Sequence, residues 1–109
     1  MSEIKEITEA ILAFRNDRDW KQFHNAKDLA IAISIEASEL LQLFLWKNSE
    51  EANTESIKDE LADIFAFSFI LAHEKGLNIK EIILDKLKKN SEKYPVEKAW
   101  GNAKKYTEL

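Results

Sequence analysis

Two neighbouring helix-length stretches of this sequence are apolar on more than one side, and each carries a pair of carboxylates in its middle. In the first, Leu29, Ile33, Leu40 and Leu43 form one stripe, while Ile31, Ile35, Leu41 and Leu45 fall outside it. The second packs Leu61, Ile64, Phe65, Phe67, Phe69, Ile70 and Leu71 into eleven residues. A helix that is apolar all round must be buried all round. A single chain of 109 residues cannot cover two such helices, so the patterning by itself predicts an oligomer.

The remainder of the chain is consistent with an all-α fold. Only two glycines and one proline interrupt it, and strong helix formers dominate. Four helices are expected. The first spans about Ser2 to Arg18, with Ile4, Ile7, Ile11 and Phe14 at helical spacing. After the polar, aromatic segment NDRDWKQFHN, the second starts at an Asn25 cap and continues to about Trp46. The third is capped by Asn53 or Thr54 and stops at Gly76. The fourth begins at Asn78, with Glu81 completing a capping pattern, and ends before Pro95. The tail from Val96 has no helical period. The expected architecture is a four-helix bundle-like subunit, with residues 1–109 as one domain.

Composition narrows the function classes. Cysteine is absent, which removes disulfides and thiolate metal sites. No apolar run has the length of a membrane span, and the charged start MSEIKEITEA is unlike a signal peptide, so a cytoplasmic protein is expected. The net charge of −4 argues against a partner nucleic-acid polymer. Charge is unevenly spread: Glu36 to Asp63 holds eight acids against two lysines, and Lys80 to Leu109 holds eight lysines against five acids. Such a division suits a cation and a polyanion bound together, although solvated helix faces produce the same counts.

The carboxylates carry more information. Glu36 and Glu39 lie one turn apart on one face of the second helix, and Glu60 and Asp63 do the same on the third. An isolated pair of this kind usually faces solvent. Two pairs on consecutive helices, each inside an apolar stripe, are not expected on a surface. Packed together, four carboxylates would raise one another's pKa, and each would cost several kcal/mol to remove from water. No lysine falls inside either stripe, so a multivalent cation is the simplest neutraliser. Four oxygen donors select Mg²⁺, or Mn²⁺ as a substitute, over Zn²⁺. A di-iron site would need Glu-x-x-His, whereas Lys21 and Ile70 stand three residues before His24 and His73.

ExxE followed about twenty residues later by ExxD on consecutive helices resembles the MazG-type all-α nucleoside triphosphate pyrophosphohydrolases. RDWKQFH (Arg18–His24), the segment Asn25–Lys47, DKLKKNSEKYP (Asp85–Pro95) and KKYTEL (Lys104–Leu109) extend the likeness to the family's dCTP pyrophosphatase branch. The resemblance implies that Glu36, Glu39, Glu60 and Asp63 bind Mg²⁺. It implies cleavage of a (deoxy)nucleoside triphosphate to the monophosphate and pyrophosphate by a metal-activated water at the α-phosphate. Glu39 is the carboxylate assigned to take the water's proton. Lys86, Asn90, Lys93 and Tyr94 match the family's phosphate-contacting elements. Trp46, two turns beyond Glu39, matches a base-pocket tryptophan, and Trp20, His24 and Phe67 match other pocket positions; Phe14 and Arg18 are weaker candidates. Phe67 lacks a phenolic hydroxyl, which leaves base preference open. The family's oligomers imply a homo-oligomer, a tetramer before a dimer, and a house-cleaning role on dCTP-like or non-standard deoxynucleotides. The alternative is a non-catalytic helical metal-binding or interaction module.

Overall fold

The computed structural model describes residues 2–109. These form five α-helices: α1 (Glu3–Asp17), α2 (Ala26–Gln42), α3 (Thr54–Glu74), α4 (Ile79–Lys93) and the single-turn α5 (Val96–Ala99). Three 3₁₀ turns lie at Lys21–Phe23, Ser49–Glu51 and Tyr106–Glu108, and no strand occurs among the described residues. The all-α expectation is met. The fifth helix lies in the tail that showed no period, and one turn is too short to generate one.

Four of the helices begin on a side chain that accepts an orphan backbone N–H. Ser2 accepts from Lys5, Asn25 from Asp28, Asn53 from Ser56 and Asn78 from Glu81, at 2.9–3.2 Å. The end of α3 is equally specified. Gly76 adopts φ +64°, Leu77 N–H donates to the Ala72 carbonyl and Gly76 N–H to that of His73, the paired bonds of a Schellman turn.

The end of α2 departs from expectation. The helix stops at Gln42 instead of reaching Trp46. From Leu43 onward the amides donate three residues back (Leu43 to Leu40, Phe44 to Leu41, Leu45 to Gln42), so the coil tightens and the helical phase is lost. Trp46 then takes φ +61°, a left-handed conformation uncommon for a bulky residue.

The chain divides into two compact units, one ending at Leu77 and one spanning Asn78–Leu109. In the first, α3 packs along α2 and touches α1. The α2–α3 pair is antiparallel: His24, just before α2, meets Phe67 with ring centroids 6.3 Å apart, whereas Glu36 farther along α2 meets Glu60 and Asp63. Leu29, Ala52, Ile70 and Ala72 form its buried apolar core, and Arg15 of α1 is buried beside them. In the second unit, Tyr106 packs edge-on against Tyr94 and under the Lys93 ammonium, tying the tail to the end of α4.

Candidate active site and metal centre

On α3, Glu60, Asp63, Phe67, Ile70 and Glu74 recur at three- and four-residue intervals and therefore share one face. Antiparallel packing sets Glu36 of α2 against the start of that stripe. Carboxylate oxygens of Glu36, Glu60 and Asp63 lie within 4.8 Å of one another, with Glu36 and Glu60 half-buried and Asp63 exposed. Three of the four expected ligands thus converge. Glu39 is not in that group: it lines an open groove on the outer side of α2 with Lys27, Ile31, Ile35 and Gln42. It is still close enough to act on the cluster electrostatically.

The cluster is short of positive charge. Burial, then the neighbouring Glu39 and Glu60 carboxyls, then the charges of Glu39 and Asp63, push Glu36 up to about 7. Glu60 is raised chiefly by burial, with Glu39 and Asp63 adding to it while its hydrogen bonding with Glu36 opposes. One oxygen each of Glu36 and Glu60, Oε2 in both, is buried with no hydrogen-bond partner. Buried acceptors without donors, in an all-oxygen set of this spacing, fit a hard divalent cation.

A cavity of about 350 Å³ opens beside the carboxylates, bounded by Glu36 and Asp63 at one end and by Phe14, Trp20, His24 and Phe67 around its walls. It runs along α3 from Asp63 to Ile70, about 10 Å of helix. Trp20, His24 and Phe67 are therefore brought together as a pocket, and Phe14 joins them. Arg18 remains at the surface, its guanidinium 3.7 Å from the Phe14 ring centroid. Trp46 is different. It is 94 % exposed and lines no part of this cavity, so within one chain it does not join the pocket as the resemblance implied. Its register depended on a helix that ends four residues earlier.

In the second unit, Lys86 is exposed, Asn90 is half-buried on the same face of α4, and Lys93 and Tyr94 close that helix against Tyr106.

Two pocket-region residues escaped the sequence reading, Arg15 and Glu74. Arg15 Nη1 donates to Glu74 Oε1 at 2.6 Å, with the two side chains 3 % and 24 % exposed. Both were discoverable, because Arg15 stands four residues after Ile11 on the apolar stripe of α1 and Glu74 four after Ile70 on that of α3.

A family model described as MazG-like matches residues 31–109. dCTP pyrophosphatase 1 of Bos taurus is 32% identical over 114 residues, covering 97% of this chain and 68% of that protein. The Mus musculus protein of the same name is 30% identical, with 97% and 67% covered. A crystal structure of a pyrophosphatase from Archaeoglobus fulgidus superposes with a TM-score of 0.81 at 31% identity, covering 87% of this chain and 94% of that one. The chain belongs to the MazG-like family, and it is an enzyme of the nucleotide pyrophosphohydrolase class. The reading of a non-catalytic helical module falls with that membership.

Proposed function

We propose that the protein hydrolyses a deoxynucleoside triphosphate to the monophosphate and pyrophosphate, with dCTP-like or non-standard deoxynucleotides as substrates and house-cleaning of the nucleotide pool as its role. The carrying observation is that one cavity joins a carboxylate cluster short of positive charge to an aromatic pocket. A nucleotide has the matching polarity, with a polyanion that a cation can bridge and a flat ring that aromatic side chains can hold. The relatives named dCTP pyrophosphatase 1 favour dCTP as the first substrate to test.

Glu36, Glu60 and Asp63 would hold Mg²⁺, with Mn²⁺ as a substitute and Glu39 as a fourth carboxylate beside them. When bound, the ion neutralises phosphate charge and lowers the pKa of water at the site. Glu39 accepts the proton of the attacking water. The water oxygen bonds to the α-phosphorus, the bridging bond to the β-phosphate breaks, and pyrophosphate leaves. In the second unit Lys86 and Lys93 offer positive charge to phosphate, and Asn90 and Tyr94 offer hydrogen-bond donors. Trp20, His24 and Phe67 enclose the base and keep water from it, and Trp46 serves as a base contact reached from a neighbouring copy.

That last role requires a homo-oligomer, which is also what the uncovered apolar surface supports. Ile31, Ile35 and Leu41 on α2 and Phe65 on α3 are each about half exposed or more. A second copy is the occupant that a tetramer supplies. The test is direct: each of the four dNTPs is incubated with the protein and Mg²⁺, and pyrophosphate is measured. Release of pyrophosphate, abolished by EDTA and by Asp63→Asn, is expected. Release of single phosphates, or no turnover of any nucleotide, refutes the proposal.

A further inference from the structure

The cavity has a second polar end that the phosphate chemistry does not use. Arg15 is the one charged side chain fully buried among the described residues, at 2 % exposure. A guanidinium carries five N–H donors, and a single hydrogen bond, Nη1 to Glu74, is made. Its Nε is buried without a partner, and so is Nδ1 of the neighbouring His24. Both residues line the cavity that begins at Glu36 and Asp63, along with the rings of Phe14, Trp20 and Phe67. His24 stays neutral, because burial and then the Arg15 charge hold it below the usual histidine range while Glu74 opposes them.

A buried ion pair of this kind is weak support for a fold, since apolar residues of similar volume pack as well without the desolvation cost. Donors left unmet in a native structure call for a ligand group that meets them. The group must be flat enough for the aromatic walls, uncharged, and equipped with an acceptor. We propose that Arg15, held in place by Glu74, determines base specificity by donating a guanidinium N–H to a carbonyl oxygen of the substrate's base, with His24 as a second polar edge. The inference rests on the reading of the cavity as a nucleotide site and adds to it the group that is recognised. Cytosine, thymine and guanine carry such a carbonyl; adenine does not. A site built to meet a substrate's hydrogen bond rejects the analogue that lacks it far more strongly than apolar contact does.

The test compares wild type, Glu74→Gln and the double variant Arg15→Met/Glu74→Leu, which removes both charges together. KM and kcat are measured with Mg²⁺ for dCTP, dTTP, dGTP, dATP and base-free 2-deoxyribose 5-triphosphate. In the same proteins, metal-free, the Kd for deoxycytidine and deoxyadenosine is measured by calorimetry. Loss of a hydrogen bond to a charged donor predicts that the double variant raises KM for the carbonyl-bearing nucleotides about ten- to a hundredfold, with kcat changed less than about threefold. KM for dATP and the base-free substrate stays unchanged, and deoxycytidine affinity falls in parallel. Glu74→Gln gives a smaller shift of the same pattern. Equal loss on the base-free triphosphate, or no base-dependent change, overturns the inference by making the pair structural. If no triphosphate is cleaved, yet deoxycytidine binding depends on Arg15, the hydrolytic reading fails while this one holds. If that binding is also indifferent to Arg15, both fail.

Discussion

At Glu36 burial and the neighbouring carboxyls act in one direction, both disfavouring the ionised form. The group moves from 4.5 to about 7, so the folded, metal-free protein binds a proton that the unfolded chain releases. Its contribution to stability is therefore complete below about 4.5 and lost as pH rises through 7. His24 acts oppositely: its pKa is lowered from 6.5, so its contribution is present above 6.5 and lost on acidification. The Tm difference between Glu36→Gln and wild type isolates the first effect. Without metal the variant should gain over wild type progressively from pH 5 to 8, and the gain should vanish with saturating Mg²⁺. A constant or shrinking difference would mean the carboxyl is compensated within the protein. For Glu39 the expectation is kinetic: Glu39→Gln should lower kcat about a hundredfold or more with KM little changed, as for loss of a general base. The convergence of Glu36, Glu60 and Asp63 was legible in the sequence because their spacing on two apolar stripes admits one efficient packing. Glu39, one turn further on, was legible as their neighbour, but whether its oxygens join the three-carboxylate group depends on how α2 is rotated against α3.

Helix α3 shows how local chemistry fixes an element before any packing occurs. Asn53 caps its start, and the Gly76 turn satisfies its last carbonyls. Asn53→Ala should destabilise the protein by about 1 kcal/mol in denaturant titration without altering the metal response. On α2, Leu29 is 1 % exposed and sits at the centre of the first unit's core, so Leu29→Ala should cost about 2–5 kcal/mol. These boundaries were readable because caps are written in single residues. The premature end of α2 was not. LLQLFLW has good helical residues throughout, and nothing in it announces the shift to three-residue hydrogen bonds or the left-handed Trp46. The tryptophan's direction follows from that loss of helical phase.

Across the whole molecule, the apolar surface left uncovered on α2 and α3 should be met by other copies of the chain. Light scattering after size exclusion should report an oligomer, a tetramer by preference, and Ile35→Glu should lower its mass and its activity together. A monodisperse, active monomer would contradict this. No helix among the described residues is long and apolar enough to cross a membrane. The sequence alone determined the all-α class, the caps, the facing carboxylates and the excess of apolar surface, because each depends on residue types at fixed spacing along one helix. Only the tertiary structure decided that Glu39 lies beside the three-carboxylate cluster, that Trp46 turns outward, and that Arg15 lines the pocket while paired with Glu74. Those depend on the rotation and termination of helices against one another, which no spacing along a single helix encodes.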